Sequence, residues 1–454
     1  MPSPSSIFSS KLFGNAGLWA LLIVLLLEGM QQGPLRRRYA SHEVDQRVRE
    51  LDAEFPAPPV LLLGDSVGNN WFQAFRRQPP GRFADFSTNQ AIEMTGQYFM
   101  LNRYLDQHEA PELLVLMAGR PFYGDLKQVF TENFVLRVFT RFQEIFWIGS
   151  HSLDPSLLLK GLAYKSSPSF RYRVQLQQQL LGTSQVDAYS GQVRNAVITE
   201  AKAQPWSLAY LLQNQWRQIR GQEASETSWI SLLERCREEG IDVIFLPSPT
   251  REQGRPQIEK SLRDVGAYQA EYPQLQLWPE SGQTYPDDWF WDGTHLGGKG
   301  LEGVRPLQQE IARKLLQAAL EKESLKANGD LPIDRYWLRK ELEMPLPLSI
   351  EGLYPLEWHG TQPFSWGKPR IRIQWKNPAS HLQLQLAEIS PEITLRLHYG
   401  EELREEVLSP GTQRLNIPLD ASVTELLLET DGWVPGGGDP RKLGFALEGI
   451  RLDP

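Results

Sequence analysis

The sequence predicts an α/β domain with a parallel sheet covered on both faces, a β-sandwich module after it and a membrane anchor before it. Three observations carry this. Short, continuously apolar runs at residues 60–63, 113–118 and 243–246 alternate with helical patterns, and strands apolar throughout are those that helices bury on both faces. From about residue 348 the texture changes to short alternating runs such as Ile371-Arg372-Ile373-Gln374-Trp375, separated by Pro, Gly and Asn, the signature of half-buried sandwich strands. Residues 12–30 are almost uncharged around a dense apolar core at 17–27, which seeks lipid.

A chain of 454 residues with 41% hydrophobic and 22% charged residues holds two or three folded units. The formal net charge of -8 argues against a nucleic-acid-coating protein, which needs a basic footprint to displace counterions from phosphates. The single cysteine, Cys236, excludes an intrachain disulfide framework and any multi-Cys metal site; within a helix-like run it reads as a small buried residue.

In chain order, residues 1–40 form the expected anchor, uncleaved because no small-x-small site comes after the apolar core. Arg36, Arg37 and Arg38 on its far side would by the positive-inside rule place the remainder of the chain in the cytoplasm. Residues 41–51 read as a polar helix, ended by Pro56-Ala57-Pro58-Pro59 before the first strand. Weaker strands are expected at 83–87 and 275–278, and a closing helix at 312–327. This α/β unit spans 41–325 and carries a helical insertion at about 125–225, too long for an ordinary connection. Within it Phe134, Val135, Val138, Phe139, Phe142, Ile145 and Phe146 recur at helical spacing, flanked by Arg137 and Arg141. The stripe reads as a helix packed on its own domain, or as a lid or partner surface. A linker is expected at 326–347 and the β-module at 348–454, where Trp358, Trp366, Trp375 and Trp433 are either core or sugar-stacking platforms.

The chemistry-bearing residues lie at strand ends. The first strand runs into Gly64-Asp65-Ser66-Val67-Gly68-Asn69, placing a serine at the carboxyl edge, where open parallel sheets bind ligands. Such a serine needs a base to take its proton and amides to hold an oxyanion; alternatively it caps the next helix. In Trp291-Asp292-Gly293-Thr294-His295-Leu296-Gly297-Gly298-Lys299-Gly300 two residues separate a carboxylate from an imidazole within a glycine-rich turn. There the acid can fix the tautomer of the base, although a plain polar turn would look the same. Among the other six histidines, His108 (after Asp106) and His151 (before Asp154) have an acid close in sequence, and both read as surface positions.

Gly64-Asp65-Ser66 and Asp292-Gly293-Thr294-His295 resemble the first and last blocks of the SGNH/GDSL hydrolase superfamily. The resemblance covers roughly residues 60–320 without the insertion. It implies a flavodoxin-like three-layer α/β/α fold, no metal or cofactor, and a triad of Ser66, His295 and Asp292 for ester hydrolysis or acyl transfer. The second block matches Ser87-Thr88-Asn89-Gln90-Ala91, with Ala91 or Asn89 as backbone oxyanion donor. The third block's asparagine is absent; Arg120, in Ala118-Gly119-Arg120-Pro121, either replaces it or forms a structural ion pair.

The whole layout is similar to the alginate acetylation and D-alanine transfer proteins of bacterial surfaces. It implies an extracytoplasmic enzyme on a single-pass anchor, moving an acyl group, acetyl above all, to a polysaccharide or envelope glycan. A membrane-bound O-acyltransferase would supply the acyl donor, and this placement is expected despite the arginines. The alternatives are a carbohydrate acyl esterase using the same triad and a non-catalytic glycan-binding scaffold.

Overall fold

The computed structural model describes residues 43–53, 55, 57–118, 131–172, 208–292, 294–326, 330–360, 362–387, 392–399, 402–420, 422–435 and 440–453. In it the apolar runs form β1 (Val60–Gly64), β2 (Phe83–Asp85), β3 (Leu113–Ala118), β4 (Asp242–Pro247) and β5 (Leu275–Leu277), in the order 2-1-3-4-5. Every pair is parallel. This doubly wound order reverses direction beside β1 and opens a crevice at the carboxyl edge between β1 and β3.

The connecting helices include α1 (Glu43–Leu51), α2 (Ser66–Trp71), α3 (Glu93–Leu105), α4 (Phe142–Ser152), α5 (Pro155–Ser166), α6 (Leu208–Glu238), α7 (Arg255–Gly266) and α8 (Gly298–Lys326). Leu61, Leu63, Leu114, Leu116, Val243 and Phe245 pack with α1, α3 and α6 on one face of the sheet. Val60, Leu62, Leu113, Val115, Met117, Ile244 and Leu246 pack with α2 and α8 on the other. Successive side chains on a strand point to opposite faces, so two-sided burial demands an unbroken apolar run. The three layers result from it.

The closing helix begins at Gly298, well before the expected residue 312. Its first half is hidden by Gly300, Gly303 and Pro306, residues that lower helix propensity. The two glycines are there for packing: a methyl group on Gly300 would lie 2.4 Å from Trp289 O, and one on Gly303 would lie 2.3 Å from the Trp289 ring.

The aromatic stripe of the insertion divides. Phe134, Val135, Val138, Phe139 and Ile145 are buried in the domain core, while Phe142 and Phe146 are 57% and 54% exposed. It is not one helix, because α4 starts at Phe142 with the Glu144 side chain accepting from the Arg141 amide. Residues 173–207 of the insertion lie outside the described residues.

The segment expected as a linker contains β6 (Asp330–Pro332), paired with 449–451, and α9 (Ile333–Glu341). One side of α9 gives Leu338 to the α/β core and the other gives Ile333 and Tyr336 to the β core. Arg339 donates to Leu320 O at 2.6 Å, and Arg82 pairs with Glu341.

The β-module is one curled antiparallel sheet in place of two separate sheets. Its strands are β7 (Leu348–Leu353), β8 (Glu357–His359), β9 (Gln362–Trp375), β10 (His381–Leu386), β11 (Ile393–Tyr399), β12 (Glu402–Leu408), β13 (Arg414–Pro418), β14 (Glu425–Thr430) and β15 (Ala446–Asp453). The long β9 belongs to both halves: Ser365 and Trp366 pair with β15, and 370–374 pair with β14. The register shifts between Gly367 and Arg372, the kind of irregularity that lets one strand bend across a sandwich corner. Leucines of β10, β11 and β14 meet in a shared core. Trp366 and Trp375 are buried, Trp433 packs edge-on to Trp366, and Trp358 lies against Gly81. Trp366 and Trp375 are therefore core residues, while Trp358 and Trp433 are half-buried.

The anchor expected at 1–40 lies outside the described residues. Among the described residues no helix is long and apolar enough to cross a membrane.

Candidate active site

Ser66 is the first residue of α2, immediately beyond β1, and is half-buried. Two glycines make this turn possible. A methyl group on Gly64 would lie 2.8 Å from Met117 O, and one on Gly68 would lie 3.0 Å from the same oxygen. The start of α2 therefore sits directly on β3. Asp65 caps the helix, its Oδ1 accepting from the Val67 amide at 2.9 Å and from the Gly68 amide at 3.4 Å, as acidic N-caps do. Those two amides are thereby occupied by the cap.

Asp292 and His295 are joined directly, Nδ1 of the imidazole lying 2.6 Å from Asp292 Oδ2. The other carboxylate oxygen accepts from the amides of Thr294 at 2.7 Å and His295 at 2.8 Å. Burial alone would push the Asp292 carboxyl up, but the two amides and the imidazole outweigh it and hold the carboxyl below its ordinary value. An ionised Asp292 accepts from Nδ1–H, which leaves Nε2 as the basic nitrogen. The turn is closed by the Phe290–Leu296 bridge and by the Gly297 amide donating to Trp289 O at 2.7 Å. Trp289 is stacked on Tyr285, with ring centroids 5.0 Å apart.

The serine's helix and the histidine's turn are tied together across 226 residues of sequence. Asn70, one helical turn after Ser66, donates through Nδ2 to Leu296 O at 3.2 Å and accepts from the Leu296 amide through Oδ1 at 3.0 Å. Leu296 is the residue after His295. A second tie lies deeper, where Gln308 of α8 donates to Trp71 O at 2.7 Å. Ser66 and His295 make no hydrogen bond to each other; catalytic contacts of this kind commonly tighten only around bound substrate.

The second-block loop also reaches the serine turn. Phe86 N donates to Leu62 O and Thr88 N to Gly64 O at 2.9 Å, so the chain enters exposed Asn89 and half-buried Ala91 from beside Gly64. Arg76 fastens this loop to α2 by bonding Asn69, Asp85 and Ser87. Arg120 lies outside the described residues.

Sequence reasoning missed two residues. Asn70 stands directly after the serine motif, but its partner is 226 residues away. Arg251 comes after β4, on a two-residue strand paired with Thr284–Tyr285, and donates to the backbone carbonyl of Asp292. No motif announces it.

The rival dyads do not form. Asp106 pairs with Arg141 and Asp154 caps α5. His108 and His151 are half-buried and not plain surface residues, His108 packing on Phe55 and His151 stacking on Trp147. A third acid–histidine pair, His398 with Glu429 at 3.1 Å, lies across strands of the β-module. Cys236 is fully buried, as expected, and burial pushes its thiol up.

No family model and no curated protein matches the chain. Solved structures similar to it include a candidate acylhydrolase from Bacteroides fragilis, at 11% identity, covering 60% of this chain and 96% of that one with a TM-score of 0.28. A candidate platelet activating factor from Streptococcus pneumonia has 12% identity, coverage of 64% and 99% and a TM-score of 0.27. A two-domain esterase active on acetylated mannans, co-crystallised with mannopentaose, has 6% identity, coverage of 90% and 93% and a TM-score of 0.22. At these scores the likenesses carry no weight for fold or activity, which rest on the topology and site geometry above.

Proposed function

We propose that the chain is a serine-dependent acyl-ester enzyme in which Ser66 is the nucleophile, His295 the base and then acid, and Asp292 the group that orients and stabilises the imidazole. The observation that carries this reading is the Asp292–His295 dyad held against the serine's own helix by Asn70. A plain polar turn would not require such a tie.

In the first half-reaction Ser66 Oγ adds to the ester carbonyl while His295 Nε2 takes its proton. The C–O bond to the alcohol then breaks, the leaving oxygen takes that proton, and the acyl group stays on Ser66. In the second half an acceptor hydroxyl gives its proton to His295 and adds to the acyl carbon, and Ser66 regains a proton as it leaves. The Ser66 amide and the Asn89–Ala91 loop supply oxyanion donors.

Water as acceptor gives an esterase; a sugar hydroxyl gives a transferase. The Asp292 side chain is 42% exposed, so water reaches the dyad, which favours hydrolysis. We take the alcohol to be a carbohydrate, and the enzyme to act outside the cell on an N-terminal anchor, by analogy of layout with surface-glycan acylation proteins.

The test uses the full chain in detergent with p-nitrophenyl acetate, comparing wild type with Ser66→Ala and His295→Ala. An acetyl adduct on Ser66 by intact mass, with turnover lost in both variants, is the expected result. Folded wild type giving neither adduct nor turnover across a range of esters would refute the reading. Added glycan that diverts acetyl from water to sugar would establish transfer in place of hydrolysis.

A further inference from the structure

Trp71 and Trp229 are fully buried and Trp366 and Trp375 nearly so, whereas Trp291 is 72% exposed. An indole left in water forgoes the stabilisation that burying its apolar surface would bring. Trp291 precedes Asp292 directly. Its amide donates to His295 O at 3.1 Å, and its ring centroid lies 5.6 Å from that of His295 at an interplanar angle of 52°. The Phe290–Leu296 bridge and the Asn70 tie hold both residues on the same fastened turn. The indole is therefore carried on this turn beside the His295 imidazole, at the sheet edge where substrate arrives.

From this we infer that Trp291 is the platform on which a pyranose ring of the substrate stacks, with the ester oxygen of that sugar presented to His295. The inference rests on the esterase reading and names the alcohol half of its substrate. A sugar ring offers an apolar C–H face to the indole and hydroxyls around its rim. The same turn is rimmed by exposed polar groups: the Thr294 hydroxyl, which lies 3.1 Å from His295 Nδ1, and the Asp288–Lys299 ion pair at the start of α8. An acyl chain laid on the indole would leave those groups facing hydrocarbon. Of the β-module's tryptophans, Trp366 and Trp375 are buried in its own packing and offer no open ring face.

The experiment compares wild type, Trp291→Ala and Trp291→Phe on mono-O-acetylated methyl pyranosides and on p-nitrophenyl esters from acetate to hexanoate. The ratio of kcat/KM for the acetylated pyranosides to that for p-nitrophenyl acetate should fall about tenfold in Trp291→Ala, mainly through KM, and stay close to wild type in Trp291→Phe. An unchanged ratio overturns the inference. So does a loss that grows with acyl-chain length, because the indole would then seat the acyl group. If wild type hydrolyses none of these esters, the esterase reading fails on its own terms. The platform is then judged by calorimetric titration with the same acetylated pyranosides, where binding weakened in Trp291→Ala supports it and binding equal to wild type refutes it.

Discussion

Replacing Asn70 by Ala removes both hydrogen bonds that join the Ser66 helix to the Asp292–His295 turn. Each such bond contributes about 0.5–1.5 kcal/mol net, so their loss together costs roughly 1–3 kcal/mol of stability. The cost falls toward the upper end because Leu296 is only 2% exposed, leaving its amide and carbonyl little access to replacement water. The chemical effect is separate. Leu296 adjoins His295, and a misplacement of about 1 Å in a catalytic group lowers rate by about a hundredfold. We expect kcat for p-nitrophenyl acetate to fall about 10- to 100-fold at a temperature where the variant is fully folded. KM should change little, because both polar atoms of the Asn70 side chain are engaged with Leu296. Steady-state kinetics run beside urea denaturation separate the two effects. A variant that loses stability yet keeps kcat within about twofold would show that the tie is architectural only, and would remove the observation on which the functional reading rests.

Asp292→Asn should lower kcat by about 10³- to 10⁴-fold, since an amide no longer favours the tautomer that leaves Nε2 basic. The same substitution tests linkage. The folded Asp292 carboxyl titrates below its ordinary value, so its ionised form adds stability that is fully present above that value and lost as pH falls through the folded pKa. The difference in Tm between wild type and Asp292→Asn should narrow as pH is lowered from about 6 to about 3. Gly64→Ala presses a methyl group against Met117 O on the neighbouring strand and against Gly68. We expect a loss of about 1–3 kcal/mol, read as a lower urea midpoint at unchanged m-value.

Legibility in the sequence tracked the range of the interaction. β1, β3 and β4 are continuous apolar runs, and such runs announce two-sided burial without reference to partners. The Asp292–His295 dyad closes within one turn, so adjacent residues encode it completely. α8 was half legible: its Leu- and Ala-rich end declares a helix, while Gly300 and Gly303, which admit Trp289, and Pro306 mask the beginning.

The sequence by itself determined the order of strands and helices in the α/β unit and the pairing of Asp292 with His295 within one turn, because these depend on local periodicity and on short glycine turns. Only the tertiary structure decided that Asn70 and Arg251 hold the Asp292–His295 turn, that β9 bends to serve both halves of one curled sheet, and that Trp291 is exposed where Trp366 and Trp375 are buried. A side chain's identity states what it can bond or bury. Which surface it meets is set by contacts between segments far apart in the chain, and no local pattern carries that information.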